Sequence, residues 1–119
     1  MNWYLTKLVY RIVCGDGDHT PQFDEQLRLI EADDTFHAFQ KAQRIGHKEQ
    51  DTFFNMHQKL VQWKFIDVCE IHPLDELNDG AEIYSRISEV EDADLYMKNT
   101  RLKAKYLFEE SMEQSLQTN

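Results

Sequence analysis

The side chains of this 119-residue chain best suited to chemistry are five histidines, two cysteines and 22 aspartates and glutamates. Their spacing restricts what they can do. His19, His37, His47, His57 and His72 contain no pair four apart that would share a helix face and grip a metal. Cys69-x-x-His72 lies in a strand-like run, where a spacing of three sends side chains to opposite faces. Asp16-Gly17-Asp18-His19 resembles the start of a calcium loop, but the twelfth position from Asp16 is Leu27, where a bidentate glutamate is required. No metal is expected. No serine sits in a nucleophile elbow and no glycine-rich loop is built for phosphate, so no cofactor is expected and no motif demands a reaction.

Acid–base work would fall to carboxylates such as Glu25, Asp67, Glu70 or Glu82. Alternation along residues 82–88 puts Glu82, Tyr84 and Arg86 on one face of an expected strand, with Asp67 on the long strand beside it. Asp67, Glu82, Tyr84 and Arg86 are therefore the candidate ligand-binding residues, suited to a small polar molecule. A structural ion pair on the solvated side of a sheet explains the same residues and is the commoner arrangement. Trp3 and Trp63 could stack on a base or sugar, but both stand in apolar runs and read as core.

The formal net charge of -9 repels polyanions, so nucleic acid is not an expected partner. A hydrophobic content of 41% is enough for a core, and no apolar run is long enough to suggest a membrane span. The first residues lack a basic start followed by an apolar stretch, so no signal peptide is expected. Cys14 and Cys69 read as buried free thiols, which suit a reducing cytoplasm.

These side chains would be positioned by one α+β domain spanning residues 1–119. Residues 3–14 form a strand rich in β-branched and aromatic residues, apolar on both faces. A turn-prone segment, residues 15–21, leads to an antiparallel strand over 23–32. Residues 33–46 read as a helix with Ala38, Phe39, Ala42 and Ile45 on one face, an aspartate at its start and Gly46 as a left-handed stop. A short strand at 52–54 precedes a long one at 60–71, again apolar on both faces and ended by Pro73. Asp79-Gly80 turns the chain into a last strand, and a second helix runs from about Asp92 to Met112. The order is β-β-α-β-β-β-α around a mostly antiparallel sheet, with one helix packed on the sheet and a C-terminal helix beyond it.

Several of these segments, taken together, are familiar. Trp3-Tyr4, Glu25-Gln26, Ala32 ahead of a helix bearing Ala38 and Lys41-Ala42, Gly46, Phe54-Asn55, the run 61–68, and Asp79-Gly80-x-Glu82-Ile83-Tyr84-Ser85-Arg86 occur in this order. The chain thus resembles a bacterial domain-of-unknown-function family numbered 4288, over about residues 3–88. The resemblance implies no established activity, cofactor or catalytic residue. The chain departs from the family pattern in the turn before the long strand, where a glycine is expected and Asn55-Met56-His57-Gln58 stands instead. The helix and tail at 89–119 fall outside the resemblance.

One helix cannot cover both apolar faces of the sheet, and large exposed apolar patches are rare on soluble monomers. The expectation is a non-catalytic, self-associating interaction module of the cytoplasm, most simply a two-fold homodimer. The C-terminal helix is an additional surface for a protein partner. A small-ligand binder or enzyme using the Asp67, Glu82 and Arg86 face is the alternative.

Overall fold

The computed structural model describes residues 1–117, which divide into two compact units, Met1–Ser85 and the segment from Arg86 on. The first unit carries four strands and a helix: β1 (Asn2–Cys14), β2 (Gln22–Ala32), α1 (Thr35–Lys48), β3 (Asp51–Phe54) and β4 (Leu60–Leu74). The second carries α2 (Ala93–Gln117). The class is α+β, and the sheet is antiparallel throughout in the order β2-β1-β4-β3.

β1 and β4 are the central pair. Strand alternation sends Tyr4, Thr6, Leu8 and Tyr10 of β1 to one face, where all four are buried. The β1–β2 register adds Ile30 opposite Tyr4 on that face, and the β1–β4 register adds Val68 opposite Leu8 and Phe65 opposite Tyr10. α1 closes this face with Ala38 and Ala42, both fully buried. Alanines let the helix lie close to the sheet, and each large apolar side chain fully buried beneath it contributes roughly 1.5–3 kcal/mol. Thr6 is the buried polar exception, and its hydroxyl donates to the Arg28 carbonyl at 3.1 Å.

α1 begins as its sequence predicts. Asp34 is the N-cap, accepting from the His37 backbone N–H at 2.8 Å. Its end differs: Gly46 is no stop, because the helix runs through it to Lys48 and is capped by Glu49. A buried glycine is needed there for space. A Cβ built on Gly46 would lie 2.3–2.6 Å from atoms of the Phe65 ring, which also packs edge-on to His47 with centroids 4.8 Å apart. Tyr10 donates its hydroxyl to the Gly46 carbonyl at 3.0 Å, which ties helix to sheet at the same point. Burial pushes the Tyr10 phenol pKa up, and nearby Glu49 adds to the shift.

Other expectations are also corrected. The last strand at 82–88 is absent: the Gly80 turn forms, with φ +85°, but the residues after it join no ladder. Alternation there sorts side chains, but a strand further requires backbone pairing, and this segment meets β4 through the Tyr84 side chain instead. β4 continues past Pro73 to Leu74, with Pro73 opposite Tyr4. Beyond Trp63, β4 has only β1 beside it, so an absent N–H can fall on the open side. The β1–β4 register slips twice, between Lys7 and Leu8 and between Val9 and Tyr10, which leaves Cys69 and Ile66 without partners on β1. That bulge explains why Cys69 is exposed. Cys14, at the strand end, is half-buried; both thiols are free, but neither is buried.

Trp3 is not core either, since its odd-numbered position puts it on the face away from α1, 38% exposed. Trp63 packs against the core only in part; it stacks on Phe53 with centroids 6.1 Å apart and donates its indole N–H to Asp24 at 3.1 Å.

The turn before β4 resolves the missing glycine. Gln58 takes φ +63°, the left-handed conformation that glycine adopts without penalty. Asn55 holds the turn around it, its side-chain oxygen accepting from the N–H groups of His57 at 2.9 Å and Lys59 at 3.1 Å.

In the second unit, Asp92 caps α2 by accepting from the Leu95 N–H at 3.0 Å. The helix extends beyond the expected Met112 to Gln117, through residues that are good helix formers. Its apolar side chains, among them Leu95, Tyr96, Leu102, Leu107 and Phe108, fall on all sides at about 100° per residue, rather than in one stripe.

Candidate functional site

The sheet face opposite α1 carries its own polar cluster. Lys7, at the centre of β1, lies across from Leu27 on β2 and Glu70 on β4. Its ammonium sits 2.8 Å from Glu70 Oε2 and 3.8 Å from Glu25 Oε1. The other Glu70 oxygen accepts from His72 Nε2 at 3.0 Å and meets the Tyr84 hydroxyl at 3.5 Å. The Tyr84 ring stands edge-on to His72, with centroids 5.3 Å apart. Tyr84 thus brings the non-ladder segment after Gly80 back against the C-terminal third of β4.

The electrostatics of this cluster argue against Glu70 as a general base. The Lys7 hydrogen bond, followed by that of His72, holds the Glu70 carboxyl below its ordinary range, and the Glu70 hydrogen bond raises Lys7. A general base working near neutrality needs a carboxylate shifted upward. Glu70 is shifted the other way, and its oxygens are engaged. The cluster works as a latch that fastens residues near Tyr84 to β4.

Beside the latch lies an open groove of about 510 Å³, lined by His72, Leu74, Asp75, Glu76, Glu82 and Tyr84 among others. Two of the sequence candidates, Glu82 and Tyr84, therefore share one concavity. Asp67 does not join them. It follows the bulge at Ile66 of β4, accepts from the Gln43 side chain of α1 at 3.2 Å and caps the Val68 N–H at 2.8 Å. Arg86 is the first residue of the second unit. The parity that grouped Glu82, Tyr84 and Arg86 depended on a strand that does not form.

Sequence reasoning missed Lys7 and His72 as partners of Glu70. The i, i+2 spacing of Glu70 and His72 on one strand was the available signal, and Lys7 needed the β1–β4 register. A second network was equally hidden, on the helix side of β2. Arg28 pairs with Glu49 at 2.7 Å and donates to Gln26 at 2.6 and 3.1 Å; Gln26 donates to Asp24 at 2.6 Å. The Asp16–His19 loop is a hairpin staple. His19 Nε2 accepts from the Cys14 N–H at 3.0 Å, which leaves Nδ1 as the donor to the Thr20 carbonyl at 2.8 Å. Among the described residues, no three His, Cys, Asp or Glu side chains are grouped to hold a metal.

An exposed apolar row of the first unit lies on the outer strand β2. Phe23, Leu27 and Leu29 point away from α1 and are 55%, 51% and 49% exposed. Leu5, beside them on β1, is buried. This row belongs to the edge strand β2; the opposite edge strand, β3, exposes Phe53 and Phe54. No helix among the described residues is long and apolar enough to cross a membrane.

Compared with known proteins, residues 3–85 match a family model described as Domain of unknown function (DUF4288). The match stops at Ser85, where the first compact unit also ends. No curated protein and no solved structure matches the chain.

Proposed function

The chain belongs to the DUF4288 family, and within it we propose a non-catalytic, self-associating interaction module of the bacterial cytoplasm. The observation that carries this reading is the row Phe23, Leu27 and Leu29, half-exposed on an edge strand. An edge that is also apolar invites pairing with another chain, and natural proteins usually blunt such edges with lysine or proline. β2 has neither. Two free thiols support a reducing compartment. The acidic charge supports a protein partner over nucleic acid. α2, with apolar and charged residues on all sides, is a further surface for a protein partner.

Light scattering of the full chain across the micromolar range tests the proposal. A dimer is expected, and Leu27→Lys is expected to shift it to monomer. A parent protein that stays monomeric throughout would sink the idea.

A second reading, a small polar ligand held by Glu82 and Tyr84, is favoured by the groove they share. Glu82→Gln with unchanged melting in the presence of small amines and carboxylic acids would remove its support.

A further inference from the structure

The geometry points to a particular form of self-association: β2 pairs antiparallel with β2 of a second copy, in a register centred on Gln26. This rests on the self-association proposed above and specifies its partner surface. β2 is eleven residues long, lies at the end of the sheet order and is bonded to β1 on one side only. A strand added at its other side would satisfy the outward-facing backbone groups. It would also cover Phe23, Leu27 and Leu29, which a partner placed over the centre of the sheet would not reach as fully.

The second copy is the occupant because β2 is complementary to itself. A two-fold axis perpendicular to the sheet keeps the faces aligned, so residues of equal parity stand opposite one another. A register centred on Asp24, Glu25 or Arg28 sets that charged residue against its own copy, which is destabilising. One centred on Leu27 sets Glu25 against Leu29 and Asp24 against Ile30. Centred on Gln26, the strands also set Glu25 opposite Leu27, but they gain Asp24 opposite Arg28 twice and Phe23 opposite Leu29 twice, with like charges nowhere opposed across residues 22–30. The charged pairs fall on the α1 side of the sheet and the apolar pairs on the other, where the half-exposed row already lies. Within one chain Gln26 bonds to both Asp24 and Arg28, which also hold Trp63 and Glu49, so the cross-strand pairs would extend an existing polar network.

Cross-linking of the full chain, with Cys14→Ser and Cys69→Ser in the background, tests the register. Directly opposed strand residues have Cα atoms about 4.5–5.5 Å apart, within disulfide reach. Gln26→Cys is expected to form a covalent dimer under mild oxidation, whereas Gln22→Cys, displaced to opposite ends of the seam, is not. Because Gln26 bonds to its neighbours, a second pair guards against misfolding. Proteins bearing Glu25→Cys and Leu27→Cys, when mixed, should give the heterodisulfide in at least tenfold excess over either homodisulfide. If light scattering reports a dimer while Gln22→Cys cross-links as well as Gln26→Cys, or the mixture shows no heterodisulfide preference, this register is wrong and self-association by another surface stands. If light scattering reports only monomer, both proposals fall.

Discussion

The two faces of one sheet have been put to different use. On the α1 side, Tyr4, Leu8, Tyr10, Ile30, Phe65 and Val68 meet Ala38 and Ala42 in a closed apolar layer. On the other side, Leu5 is buried beside an ion-paired Lys7, and the apolar residues of the neighbouring edge strand stay half in water. Both faces descend from the same alternation in β1, which is apolar at odd and even positions alike. What separates them is the covering element: a helix with small residues excludes water, whereas a latch of Tyr84, Glu70 and His72 tethers only a short segment. Stability should therefore concentrate on the first face, and association on the second.

The sharpest test of that division is Phe65→Ala, which empties the layer under Gly46 and should cost about 3–5 kcal/mol in urea denaturation. A loss near zero would mean that α1 is not what stabilises the sheet. Gly46→Ala should cost about 1–3 kcal/mol by overpacking, because Phe65 is hemmed in by Tyr10 and His47 and cannot swing aside freely. Were it neutral, the helix could ride away from the sheet and the close approach would not matter.

Away from both faces, Gln58→Gly should stabilise by up to about 1 kcal/mol, since it relieves a left-handed glutamine but adds unfolded-state entropy. Leu27→Lys, on the second face, should change subunit stability by no more than about 0.5 kcal/mol at low protein concentration while it abolishes the dimer. A large loss of stability in that variant would make β2's outer row part of the core and erase the contrast.

The smallest effect belongs to the latch and is visible only against pH. Glu70 is depressed in the folded state, so the unfolded chain binds its proton more readily. The contribution of Glu70 is present in full above about 4.5 and is lost as pH falls through its folded-state value. Acid titration of stability should show this limb in the parent and a shallower one in Glu70→Gln. Identical limbs would show that the latch contributes nothing to folding.

The elements were largely legible because each is a local matter. The β-branched and aromatic runs of β1 and β4, the Asp34 cap and the small face of α1 are all readable from neighbouring residues, whereas the glycine expected among Asn55–Gln58 came only from the family resemblance. The misreadings share a different cause. Gly46 could be taken as a stop until Phe65, 19 positions along the chain, was found against it. Residues 82–88 alternate like a strand, but in the folded chain Tyr84 meets β4 through its side chain and no backbone ladder forms. Cys69 faces outward because of a bulge that only the β1–β4 register reveals. The candidate residues fared the same way: Glu82 and Tyr84 meet in one groove, while Asp67 is drawn to Gln43 of α1.

By itself, then, the sequence determined which segments extend, which coil and which side of each is apolar, because propensity and periodicity act between residues a few positions apart. The tertiary structure alone decided which apolar face of β1 would be closed by a helix, which strand would be left at the edge, and that Lys7, Glu70, His72 and Tyr84 would meet. Those outcomes depend on register and packing between segments tens of residues apart, and no local pattern carries that information.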